Sequence, residues 1–180
     1  MRISKLHLAI SSDEIRPQIR QLFVTKTETA VTDGHLLLTF HSDKIFKQEF
    51  LDSIPDDGLL IPDAFVSKLT ENNIKSLRYY PEKNEISIPY EDCFLFAPVK
   101  INGTDLKFPS YNDLFDAKPE KIDKIGISTS KLDTICQIFP DQGLKFSFRG
   151  MTTGIEITVI RDEPAFIKGL LMPYMLSDEL

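Results

Sequence analysis

Apolar positions along the chain fall into short runs, alternating or continuous, each bounded by turn-forming residues, and this pattern predicts strands. Residues 6–10 and 19–25 are such runs, and 29–31 leads through Thr32-Asp33-Gly34-His35 into another at 35–40. Asp-Gly between two strand-like runs signals a hairpin, because glycine adopts positive φ without steric cost. Residues 75–80, 85–89 and 94–101 repeat the theme, with turns at 81–84 and 90–92. The last third adds 126–128, 144–149, 154–160 and 165–172. Two segments carry a helical period instead. Residues 62–72 open on Pro62-Asp63 and place Phe65, Val66 and Leu69 on one face; residues 129–139 place Leu132, Ile135, Cys136 and Phe139 at i, i+3, i+4 and i+7 before Pro140. Residues 1–50 predict strands and no helix, since Pro17 would remove a central hydrogen bond from a helix over 12–23.

The order of these elements is a diverged internal repeat. Residues 58–61, the helix at 62–72 and three strands through 101 make one β-α-β-β-β unit; 126–128, the helix at 129–139 and three strands through 172 make a second. Between them, residues 112–124 are polar, charge-mixed and proline-bearing, and read as a connector. The expected fold class is therefore α+β, antiparallel sheets with two short helices, divided near residue 117 into 1–116 and 117–180.

Composition narrows the function. The chain has 180 residues, 42% hydrophobic and 27% charged, enough for a packed core and unlike a disordered segment. Twenty-one Lys+Arg against 27 Asp+Glu give a net charge of −6, with no basic block, which excludes a polybasic grip on nucleic acid by the chain as a whole. Cys93 and Cys136 both sit in apolar runs and read as buried thiols of a reducing compartment; with three scattered histidines they leave no zinc-ligand spacing. No signal-peptide or membrane-spanning stretch is visible, so a soluble, cytoplasmic protein is expected, and the terminal Ser-Asp-Glu-Leu is read as coincidence. No nucleophile signature, phosphate loop, dinucleotide fingerprint or metal spacing is present, and Asp33 with His35 is a poor catalytic pair; the expectation is no enzyme activity, no cofactor and no metal.

Three motifs converge on one family. Thr32-Asp33-Gly34-His35-Leu36-Leu37, preceded by Arg16-Pro17 and a strand, resembles the middle domain of bacterial DNA polymerase III sliding clamps, where Arg-Pro precedes a strand leading to Thr-Asp-Gly-His-Arg-Leu. Phe108-Pro109-Ser110-Tyr111 is similar to that family's Phe-Pro-Asp-Tyr segment, and Leu170-Leu171-Met172-Pro173-Tyr174-Met175-Leu176 to its C-terminal Val-Met-Pro-Met-Arg-Leu tail. The resemblance implies that 1–116 is a middle domain lacking its first strand and helix, and that 117–180 is half of a C-terminal domain.

In the family these motifs line a hydrophobic groove where the short linear clamp-binding motifs of polymerases and clamp-loader proteins dock. Carried over, the groove comprises Ile19, Thr32, Gly34, His35, Leu36 and Leu37, then Pro109 and Leu114, then Leu170, Met172, Pro173, Tyr174 and Met175. Leu36 and Met175 replace the family's arginines and Asp113 stands where a basic residue is common, so the groove should be more apolar and less cationic. The resemblance thus implies a non-catalytic, peptide-binding protein of DNA replication, monomeric or homodimeric; the alternative is a minimal processivity clamp that forms a ring on DNA. Lys68 and Lys131 on the predicted helices are offset by Asp63, Glu71 and Asp133, so DNA should be held weakly, or only by an assembled ring.

Overall fold

The computed structural model describes residues 5–116, 118, 121–122, 124–150, 153–160 and 167–174. Eleven strands form two antiparallel sheets among these residues: β1 Gln21–Val24, β2 Glu28–Thr32, β3 Leu36–His41, β4 Leu59–Pro62, β5 Arg78–Tyr80, β6 Glu85–Tyr90, β7 Cys93–Pro98, β8 Lys100–Ile101, β9 Gly143–Ser147, β10 Ile155–Ile160 and β11 Ile167–Leu171. The larger sheet runs β8-β4-β1-β2-β3-β11-β10-β9, and the smaller β5-β6-β7. The central step is β3 to β11. It joins the segment before residue 117 to the segment after it, with Leu36 opposite Leu171 and Leu37 opposite Leu170.

Both faces of this sheet are covered, which explains why β3 is buried at five successive positions rather than at alternate ones. Leu36, Leu38 and Phe40 point into the main core; Leu37 points the other way, into a smaller cluster with Ala30, Leu60, Phe108 and Leu170. The main core is shared across the chain: the Phe40 ring lies 6.1 Å from that of Phe139, and Ile86, Ile88, Ile135 and Ile157 all belong to it.

Helices are α1 Ser42–Ile45, α2 Gln48–Ser53, α3 Asp63–Val66 and α4 Thr129–Ile138. The second predicted helix stands almost as read. The first shrinks to α3, because Thr70 and Asn73 capture the backbone that would continue it: Thr70 N–H donates to Asn73 Oδ1 at 2.8 Å, Asn73 N–H to Thr70 Oγ1 at 3.3 Å, and Asn73 Nδ2 to Lys68 C=O at 3.0 Å. α1 and α2 are helices that the sequence pattern did not predict. Residues 6–10 were expected as a strand, and Leu6–Ala9 is instead a 3-10 helix packed against the core. The strand expected at 126–128 reduces to a single bridge between Gly126 and Tyr174.

The cysteines also differ from expectation, since both are free and exposed. Cys93 begins an edge strand, and the apolar face of α4 is rotated toward Ile135 and Ile138, which turns Cys136 to solvent. Among the described residues, no helix is long and apolar enough to cross a membrane.

Candidate functional site

The three motifs meet at one end of the β3–β11 pair. In the β2–β3 turn, Asp33 Oδ1 accepts the N–H groups of His35 and Leu36, both at 2.8 Å, and Thr32 Oγ1 accepts that of Gly34 at 3.0 Å. Gly34 sits at φ +91°, a conformation that L side chains rarely adopt. The sequence Thr-Asp-Gly-His thus closes a turn whose inward polar groups are satisfied, with Gly34 and His35 left at the surface. Beyond β11 the ladder extends by one bond, Met172 N–H to His35 C=O at 2.8 Å, which sets the C-terminal motif beside the turn.

The Phe-Pro loop supplies the third wall. Phe108 is buried and stacks on Phe23 with ring centroids 5.1 Å apart; its edge meets Tyr111 at 5.9 Å. Its N–H donates to Asn102 Oδ1 at 2.8 Å. The Tyr111 hydroxyl donates to the Glu28 carboxylate, and burial together with that carboxylate pushes the phenol well above its ordinary pKa. Anchored at Phe108 and Tyr111, the loop leaves Pro109, Ser110 and Leu114 on the rim.

Between these walls lies a cavity of about 240 Å³. The hairpin and its lead-in contribute Ile19, Thr32, Gly34, His35, Leu36 and Leu37; the loop contributes Pro109 and Leu114; the last strand contributes Leu170 and Met172. Their exposure differs. Leu36 is fully buried and reaches the cavity from the main core, whereas Leu114 and Met172 are 49% and 40% exposed. Pro173 and Tyr174 run on past the cavity, where Tyr174 N–H donates to Gly126 C=O at 2.8 Å and its ring faces solvent. Met175 lies outside the described residues.

Arg16, Gln18, Phe108, Ser110 and Tyr111 also line the cavity and were not among the predicted groove residues. The signal was there for four of them, since Arg16, Phe108, Ser110 and Tyr111 fall within the motifs that carry the family resemblance. Arg16 matters most. Its Nε donates to Asp13 Oδ2 at 2.8 Å, and its guanidinium lies so close to Gly34 that a Cβ there would be 2.9 Å from it. The rim therefore holds a cation, beside the turn.

Asp33 and His35 do not form an acid–base pair. Asp33 gives one carboxylate oxygen to two backbone N–H groups and the other to Lys131 of α4, leaving neither for His35. Among the described residues, no group of three or more His, Cys, Asp or Glu is placed to hold a metal ion. The helices carry more acids than bases. Lys44 and Lys131 stand against five acids on α1–α4, Asp43, Glu49, Asp52, Asp63 and Asp133, and Lys131 is already engaged by Asp33.

No protein-family model matches this chain, and neither does any curated protein. Solved structures do. The C. crescentus β sliding clamp superimposes with a TM-score of 0.65 at 17% identity, covering 98% of this chain and 65% of the clamp. The DNA polymerase III β subunit of Borrelia burgdorferi, solved in complex with a natural product, gives 0.64 at 10% identity over 95% of this chain and 60% of that one. The Thermotoga maritima β subunit gives 0.62 at 12% identity over 95% and 61%. The chain thus spans less than two thirds of the length of each. Nearly all of it, 95–98% in these superpositions, carries the fold of the bacterial DNA polymerase III β sliding clamps.

Proposed function

We propose that this chain is a non-catalytic, clamp-like protein of DNA replication whose groove takes the short linear clamp-binding motifs of polymerases or clamp-loader proteins. The supporting observation is the pairing of β3 with β11, which brings three motifs from distant parts of the chain into one cavity with an apolar floor. Ile19, Leu37 and Leu170 offer a firm surface for aliphatic or aromatic anchors; Met172, unbranched and polarizable, adapts to varied partners. Two buried anchors would contribute roughly 3–6 kcal/mol before the costs of association, which places the affinity in the micromolar range. In this reading residues 1–116 correspond to most of a clamp middle domain and 117–180 to half of a terminal one. The acidic balance of α1–α4 disfavours the ring reading, since encirclement relies on phosphate neutralisation.

A hydrogen-exchange footprint tests the site. A peptide carrying the clamp-binding motif of a polymerase should slow exchange together in residues 34–37, 109–114 and 170–174. Protection elsewhere, or at one motif without the others, would remove the groove reading.

A further inference from the structure

The two sheets have four edges, and three of them are blunted. β8 has two residues and carries Lys100; β5 has three and carries Arg78; β9 carries Gly143 and Lys145. Short length and inserted cations are the usual guards against edge-to-edge pairing. β7 has neither. Its six residues, Cys93-Phe94-Leu95-Phe96-Ala97-Pro98, hold no charge, and only the closing proline interrupts it.

The register shows what this edge presents. β6 and β7 are joined by the two-residue turn Glu91-Asp92, with Tyr90 opposite Cys93 and Glu91 at φ 52°. Such a turn closes on a hydrogen-bonded pair, and the alternation that follows directs the N–H and C=O groups of Cys93, Leu95 and Ala97 to β6. Those of Phe94 and Phe96 face outward, and among the described residues no strand lies beside them. Their rings stand on the solvent face, 57% and 54% exposed, with Phe96 6.0 Å from Tyr80.

We propose that two copies of this chain pair through β7, antiparallel about a two-fold axis at Leu95, to make one six-stranded sheet. The strand is self-complementary in this register. Phe94 of each copy exchanges both backbone hydrogen bonds with Phe96 of the other, so all four outward-facing pairs of groups are satisfied. The same step sets Phe94 and Phe96 rings side by side on one face, an aromatic cross-strand pair on each side of the axis. The acidic turn Glu91-Asp92 of one copy comes to the end of the strand where Lys100 of the other lies, so the flanking charges attract. A slip of one residue would set Phe96 of one copy opposite Leu95 of the other, whose hydrogen-bonding groups are already used by β6.

Light scattering at tens of micromolar should give twice the 20.5 kDa chain mass. Phe96→Lys, at an exposed position, should return it to the single-chain mass, while Leu114→Lys in the groove should leave the dimer intact. The register has its own test, which does not depend on how the lysine variant folds. Cys93 would face Ala97 of the second copy in a non-hydrogen-bonded pair, with Cα atoms about 4.5 Å apart and within disulfide reach. Ala97→Cys in a Cys136→Ser background should therefore cross-link to a covalent dimer on mild oxidation, and lose that cross-link when Cys93→Ser is added. A single-chain mass for the unmodified protein, a folded Phe96→Lys that remains dimeric, or no cross-link between positions 93 and 97 would each overturn the proposal. Monomers whose Phe94 and Phe96 amides resist hydrogen exchange would show that another segment covers the edge, and would overturn it as well.

Discussion

Asp33 and Lys131 join the two segments of the chain at the border of the groove. The aspartate is buried in the β2–β3 turn at 9% exposure, and the lysine reaches it from the first turn of α4, 98 residues later. One carboxylate thus fixes the turn that presents His35 and also holds α4 against it. Lys131, one of the two lysines that the sequence places on its predicted helices, is thus a structural strut.

Removing that carboxylate should cost stability in two separable parts. Asp33→Ala leaves the His35 and Leu36 N–H groups and Lys131 without their acceptor, and should destabilise by about 2–4 kcal/mol. Asp33→Asn keeps an oxygen for the turn and should lose about half as much. Urea unfolding measures both; equal losses would mean that the turn hydrogen bonds contribute nothing beyond the ion pair, and no loss in Asp33→Asn would mean that the ion pair contributes nothing.

Gly34 should tolerate no side chain. At φ +91°, with Arg16 in the path of a Cβ, Gly34→Ala should cost roughly 1–3 kcal/mol in backbone strain and displace the guanidinium from the rim. Thermal unfolding reads the first effect and weaker peptide binding the second. A variant as stable as the parent would show that the turn is not held as described.

Tyr111 should give the protein an alkaline limit. Burial and Glu28 raise its pKa in the folded state above the unfolded value of 10.0, so its neutral form is the one that folding favours. The stability it contributes is complete below about pH 10 and declines as pH rises beyond that. Tyr111→Phe should lower stability at neutral pH by about 1–2 kcal/mol, and flatten the fall in stability measured by urea unfolding between about pH 9 and pH 11. An unchanged slope would mean that the phenol ionises freely in the folded protein.

The parts legible in the sequence were those set by local chemistry. Thr32-Asp33-Gly34-His35 specifies its turn through its own side chains, and the 3.6-residue period of 129–138 was long enough to be read as α4. What escaped was decided by context or by length. α1 and α2 together span only Ser42 to Ser53 and break at Phe46-Lys47, too short for either to show a period. Leu6–Ala9 is as apolar as a strand, and only its packing against the core makes it a 3-10 helix. Most of the groove could be named because its motifs stand in the order in which the family resemblance was found. Arg16 stands in one of those motifs, but that its guanidinium lines the cavity depends on the space above Gly34, which no spacing along the chain reveals.

The peptide-binding claim is tested most directly by fluorescence anisotropy of a labelled peptide carrying a polymerase clamp-binding motif. The unmodified protein should bind it with a micromolar Kd. Met172→Ala should weaken binding by about fivefold, and Leu114→Lys by tenfold or more at unchanged thermal stability, because both side chains stand open at the cavity rim. No binding by the unmodified protein, or equal binding by both variants, would contradict the account.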